Sequence, residues 1–303
     1  MASIAGYVRP QFSIGGVVSA SFALFRSNPV VMLVLPALLI VLPAAVLLLA
    51  GLLPRVNGNI AEIFTNRATA EQFTGGLVLA SLISGLGIMI VQGAIGAVAI
   101  RSAEGETLSF GGALAQGLAA LPRLFLCAIV LALALGAMIG LLPLVTIIGI
   151  AGGRPETAPV AVAIGALLGF LLVIPAFWVV LACAAAPGAA IDEGRWPFGA
   201  ITRSFRLTRG ARWSILGLYV VLMLVYVGIG IVNGIAQLVL VGFPGAGAVG
   251  DLSSPFFIVA QVLGLSVQAF TTTLGAAAQG LLFQQLREHS EGPSQERLAG
   301  IFA

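Results

Sequence analysis

Residues 196–213 read WPFGAITRSFRLTRGARW and stand directly before a long uncharged apolar run. Phe198, Ile201 and Phe205 follow i, i+3, i+7 spacing, so they share one helical face, while Arg203 and Arg206 fall on the other side. Pro197 suits a first helical turn and Gly210 a helix end, near which Arg209 and Arg212 lie. Aromatics on one face and arginines away from it describe a helix lying in the headgroup layer. The plain alternative is a solvated helix packed on its own protein.

Composition decides between surroundings. The chain is 59% hydrophobic and only 8% charged, with a mean hydropathy of +1.12. Soluble domains carry about 25% charged residues, so the chain is expected to be an all-α integral membrane protein. All 14 basic residues are Arg. Without Lys there is no Walker A lysine and no Schiff-base lysine. A net charge of +3 gives no support to a nucleic-acid partner. Cys127 and Cys183 sit inside apolar runs without metal-ligand or disulfide spacing, which suits small buried side chains.

Six uncharged runs cover residues 29–53, 75–100, 124–152, 159–190, 214–242 and 255–286. Each exceeds the roughly 20 residues that a helical span needs. The first is too long for a signal-peptide core and is expected to stay as a span. Pro143, Pro175 and Pro187 are the expected kinks or ends. Eleven arginines fall on the side of both termini and three, Arg55, Arg67 and Arg154, on the other. The positive-inside rule then makes both termini cytoplasmic, and the abundant Arg, Ala and Gly suggest a bacterial inner membrane. Residues 1–303 are expected to form one membrane domain, with a polar cytoplasmic tail over 288–303.

An internal repeat is expected as well. Phe12-Ser13-Ile14-Gly15, Leu108-Ser109-Phe110-Gly111 and Trp196-Pro197-Phe198-Gly199 share a pattern, each a short distance ahead of a span. The unit would be one interfacial helix plus two spans, used three times in parallel over residues 11–101, 107–190 and 196–287. Small-residue pairs at Gly136/Gly140, Gly165/Gly169 and Gly230/Gly234 are expected to include a close helix contact.

On the sixth run Gln261, Gly264, Gln268, Thr272, Gly275 and Gln279 form one face, and on the fifth Asn233 and Gln237 share another. Amides facing lipid are costly, so both faces should point inward. They either make interhelical hydrogen bonds or line a polar cavity for a headgroup or small solute. No ionisable residue other than Tyr or Cys lies inside a run, which argues against an ion-coupled pump. Residues 245–250 match GxGxxG but lack the strand–turn–helix setting of a dinucleotide site, so they read as a flexible turn. His289 is the only histidine and stands in the polar tail. No catalytic, cofactor or metal set is expected.

Three stretches, FSIGGVVSASFALFRSNP, AAAPGAAIDEGRWPFGAITRSFRLTRGARWSILGLYVV and TTTLGAAAQGLLFQQLREHSEG, together resemble the membrane domain of glycerophosphoryl diester phosphodiesterases and related stand-alone bacterial membrane proteins. The resemblance implies a multi-span helical domain with amphipathic segments. The hydrolase activity of that family belongs to a separate barrel with His and acidic metal-binding residues, so the resemblance carries the membrane module alone. Two functions stay open. One is a non-catalytic membrane or interaction module, in which Arg203, Arg206, Arg209 and Arg212 touch anionic lipid, a partner protein or a second copy of the chain. The other is a passive transporter, channel or lipid-handling protein that uses the polar face of the sixth span.

Overall fold

The computed structural model describes residues 13–49, 67–151, 158–241 and 255–292. Arg9, Phe12, Arg55, Arg154, Arg297, the GxGxxG turn at 245–250 and the tail beyond residue 292 lie outside the described residues.

Among the described residues every regular element is helical. Helix α1 (Ile14–Ser27) is followed by two π-helical segments, Val30–Val34 and Ala37–Val41, that lead into α2 (Leu42–Leu49). Then come α3 (Arg67–Ala103), α4 (Phe110–Ala151), α5 (Ala158–Ala182), α6 (Ala186–Ile191), α7 (Pro197–Leu207), α8 (Arg212–Val241) and α9 (Pro255–Glu291). Six stretches among the described residues are long and apolar enough to cross a bilayer: Val30–Leu47, Val78–Ala103, Phe110–Ala137, Phe170–Ile191, Arg212–Leu240 and Ile258–Glu291. Leu133, Phe170, Leu224 and Val239 expose most of their side chains along these spans, a surface suited to lipid and not to water. The chain is an all-α, multi-span membrane protein.

Prolines shape the first span. Pro29 and Pro36 each head a π-helical segment. Proline has no N–H to give and crowds the carbonyl one turn back; widening the turn relieves the clash. Pro187 opens the first turn of α6, just past the end of α5, whereas Pro175 is held inside α5.

Each of the three sequence motifs starts a helix. The Ser13 hydroxyl oxygen accepts from the Gly16 N–H at 3.1 Å and that of Ser109 from the Gly112 N–H at 3.2 Å, as N-caps do. In the third motif Pro197 takes the first helical position, so the helix begins one residue earlier in the pattern. Counted from their own first residues, all three helices bury the fourth, eighth and eleventh positions. These are Val17, Ser21 and Leu24 in α1; Ala113, Gly117 and Ala120 in α4; and Ala200, Ser204 and Leu207 in α7.

The helices differ in how they end. α1 stops at Asn28, ahead of Pro29, and α7 stops before Gly210, whose φ of +94° turns the chain out. A separate interfacial helix was expected before Pro122 too, but α4 runs unbroken from Phe110 to Ala151. Ala119, Ala120 and Leu121 favour helix, and no Gly or Asn precedes Pro122 to turn the backbone away.

Two compact units divide the chain. One takes Ser13–Leu121 and Gly217–Gln284; the other takes Pro122–Leu216 and residues 285–292. In the first, α3 meets α4 at Gly93 and Gly117 and meets α9 at Gly96 and Gly280. A Cβ on Gly93 would lie 3.1 Å from the Gly117 Cα, and one on Gly280 would lie 2.7 Å from the Gly96 carbonyl oxygen. Backbones there touch because both partners are small. The expected pairs behave otherwise: a Cβ on Gly136, Gly230 or Gly234 would meet nothing within 4 Å. An i, i+4 pair prepares only one side of a crossing, and the facing helix must be small as well. The surroundings of Gly140, Gly165 and Gly169 lie outside the described residues.

Candidate functional site

Two surfaces carry the polar chemistry, one in each unit. The first is built around α7. A turn at Gly194, with φ of +62°, carries the chain from α6 into α7. The helix packs on its own protein through Ala200, Arg203, Ser204 and Leu207 and turns its aromatic face outward. Trp196 and Phe205 are exposed, Phe198 is 75% exposed, and Trp213 at the start of α8 is 72% exposed.

What holds α7 is a set of backbone groups left over where α5 ends and α6 begins. The Ser204 hydroxyl donates to the Ala182 carbonyl at 2.6 Å, and its oxygen accepts from the Ala185 N–H at 3.0 Å. The Thr208 hydroxyl reaches the Ala182 carbonyl at 3.3 Å and the Ser204 carbonyl at 2.9 Å.

Arg203 departs from its expected place among the surface arginines. It is buried, and its Nη2 lies 2.8 Å from the Glu193 carboxylate. Its Nη1 pairs with Glu291 at the end of α9. Arg287 joins the cluster by a 2.9 Å ion pair to Asp192. Burial pushes the Glu193 carboxyl up, but hydrogen bonds from Arg203 and Arg195 outweigh it and hold the group below the usual carboxylate range. The hydrogen bond to Glu291, then that to Glu193, raises the Arg203 guanidinium against the opposing effect of burial. These partners come from a loop and from a helix 88 residues downstream, a pairing no local spacing reveals. Arg206 and Arg209 are exposed. Arg212 lies over the Trp178 ring at 5.4 Å, and Trp178 meets Trp213 edge-on at 5.8 Å.

The second surface is an open cleft of about 570 Å³ between α3, α8 and α9. Its polar lining is Gln92, Tyr226, Asn233, Gln268, Thr271, Thr272 and Gln279, with Gly230, Gly264 and Gly275 leaving room between them. Thus the expected face gathers around one space, with two departures. Gln261 is exposed and outside the lining, and Gln237 turns aside to donate to the Ala260 carbonyl at 2.6 Å. Gln92 donates to Gln279 at 2.7 Å, and the Tyr226 hydroxyl donates to the Thr271 carbonyl at 3.3 Å. Gly275 makes way for that hydroxyl, since a Cβ there would lie 2.7 Å from it. The Asn233 Oδ1 is buried without a hydrogen-bond partner. Gln92 and Tyr226 escaped the sequence reading because each is a lone polar residue in an apolar run, with no stripe to mark it.

Residues 12–286 match a family described as a domain of unknown function, DUF7847. No curated protein matches the chain, and no solved structure does.

Proposed function

The chain belongs to the DUF7847 family, and from its geometry we propose a non-catalytic membrane module whose α7 surface rests on an anionic leaflet. The outward aromatic face of α7 carries this reading. A helix on a water-facing surface turns its apolar residues inward; here Phe198 and Phe205 point out while Arg203 and Ser204 are buried. Such a face suits the boundary between headgroups and acyl chains, where Trp and other aromatics gather. Arg206 and Arg209 then meet phosphates, each contributing about 1 kcal/mol. Arg203 serves differently, by seating the helix. The arginine excess on one side supports a cytoplasmic setting, and the Arg-without-Lys bias with abundant Ala and Gly suits a bacterial inner membrane.

The test is retention of anionic lipid. The protein is reconstituted in nanodiscs of mixed phosphatidylcholine and phosphatidylglycerol, and the lipids that stay bound on release are counted by native mass spectrometry. The double variant Arg206→Gln/Arg209→Gln should retain less phosphatidylglycerol, a weakening of about 2 kcal/mol. Equal retention removes the role.

A further inference from the structure

We propose that the cleft between α3, α8 and α9 binds an uncharged, hydroxyl-bearing group whose O–H is received by Asn233. This does not depend on the α7 surface, which involves other residues. Room, chemistry and an open valence point the same way.

The cleft, at about 570 Å³, falls within the roughly 300–1,000 Å³ of small-molecule sites. Gly230 lines it, and a Cβ at that position would meet nothing within 4 Å, so a larger residue would enter empty space. The lining offers amides and hydroxyls, and among the described residues no ionised side chain contributes to it. A charged ligand would leave water for a span interior without a counter-charge, which is strongly unfavourable. An uncharged hydroxyl meets no such barrier and both gives and takes hydrogen bonds.

The unfilled acceptor sharpens the class. Gln92 already donates to Gln279, and Tyr226 donates to a backbone carbonyl. Asn233 Oδ1 is buried without a donor, a state that protein interiors avoid. A turn of the Asn233 side chain into the cleft it lines brings that oxygen to a ligand hydroxyl, with Thr272 and Gln268, also in the lining, to take up the rest of a polyol-like group. The hydroxyl has two sources: a neutral glyceride within the bilayer or a small polyol from water.

The full chain in phosphatidylcholine nanodiscs is offered two probes. One is a photoactivatable diacylglycerol, with cross-linked residues mapped by mass spectrometry; the other is radiolabelled glycerol, measured by equilibrium dialysis. Binding of either probe supports the site if Gly230→Leu abolishes it and Gly234→Leu, one turn along α8 and outside the lining, does not. Asn233→Leu should weaken the bound probe about tenfold. Cross-linking to α8 and α9 identifies the bilayer source, and glycerol binding alone identifies the aqueous one. Binding of neither probe overturns the proposal, as does equal binding by wild type and Asn233→Leu, or equal competition from phosphatidylglycerol and unlabelled diacylglycerol. Asn233→Leu keeps the test decisive should Gly230→Leu fail to fold.

Discussion

Replacing Arg203 with glutamine should loosen the seat of α7 while leaving its outer face intact. The Arg203 side chain is 10% exposed and answers two carboxylates, Glu193 at 16% and Glu291 at 44%. Removing one member of a buried pair costs about 3–5 kcal/mol. Glu291 is open enough for water to screen much of its share, so Glu193 decides the outcome and the loss is set at about 2–3 kcal/mol. That corresponds to a fall in Tm of about 3–5 °C. Tryptophan fluorescence is the natural assay, because Trp178, Trp196 and Trp213 are the only tryptophans and all belong to the unit that contains α7. Arg206→Gln, on the exposed side, should stay within about 0.5 kcal/mol of wild type. Adding Glu193→Gln to Arg203→Gln should recover part of the loss, since the orphaned carboxylate is then neutral. An Arg203→Gln protein that melts with Arg206→Gln and wild type would refute the buried ion-pair account.

Acid should act on the same cluster. Glu193 has a lowered pKa in the folded protein, so its contribution is complete above the unfolded carboxylate value of about 4.3 and is lost as pH falls through the lower folded value. The Tm should therefore be level near neutrality and decline below about pH 4, and Glu193→Gln should flatten that decline. Arg203, already raised, stays charged throughout and adds no pH dependence of its own. Ser204→Ala strips the Ala182 carbonyl and Ala185 N–H of a shared buried partner and should cost about 1–3 kcal/mol by the same fluorescence melt. Gly280→Ala places a methyl 2.7 Å from the Gly96 carbonyl oxygen and 2.9 Å from the Ala99 Cβ, an overpacking of about 1–3 kcal/mol, to be read by loss of far-ultraviolet circular dichroism because the tryptophans lie in the other unit. Gly136→Ala, with nothing within 4 Å, should not lower the Tm and should raise it slightly, because alanine suits a helix interior by about 0.5–1 kcal/mol over glycine.

The six spans were legible because length and charge depletion are properties of the chain alone. The polar stripe from Gly264 to Gln279 was legible for a similar reason: steps of three and four residues define a face without reference to any neighbour. What the stripe met was not legible. Gln92 and Tyr226 reach the cleft from other helices, and only the tertiary arrangement brings them there. The same divide separates Phe198 from Arg203. Helical spacing put them on different faces correctly, but which face packs on the protein depended on Ser204 finding the loose backbone groups between α5 and α6, and on Arg203 finding Glu291. The motif at Leu108–Gly111 predicted a helix start and α4 supplied one, capped by Ser109. Its expected end at Pro122 failed because a stop needs a residue that turns the backbone out, as Gly210 does after α7.

The orientation of α7 is open to one direct measurement. A nitroxide is attached at Phe198→Cys in a chain whose Cys127 and Cys183 are replaced by alanine, and its depth is read by power-saturation EPR in nanodiscs containing phosphatidylglycerol. The label should lie about 5–10 Å into the headgroup and acyl boundary, readily relaxed by oxygen and shielded from a water-soluble nickel complex. A label relaxed by the nickel complex as freely as one on a solvated loop would contradict that placement.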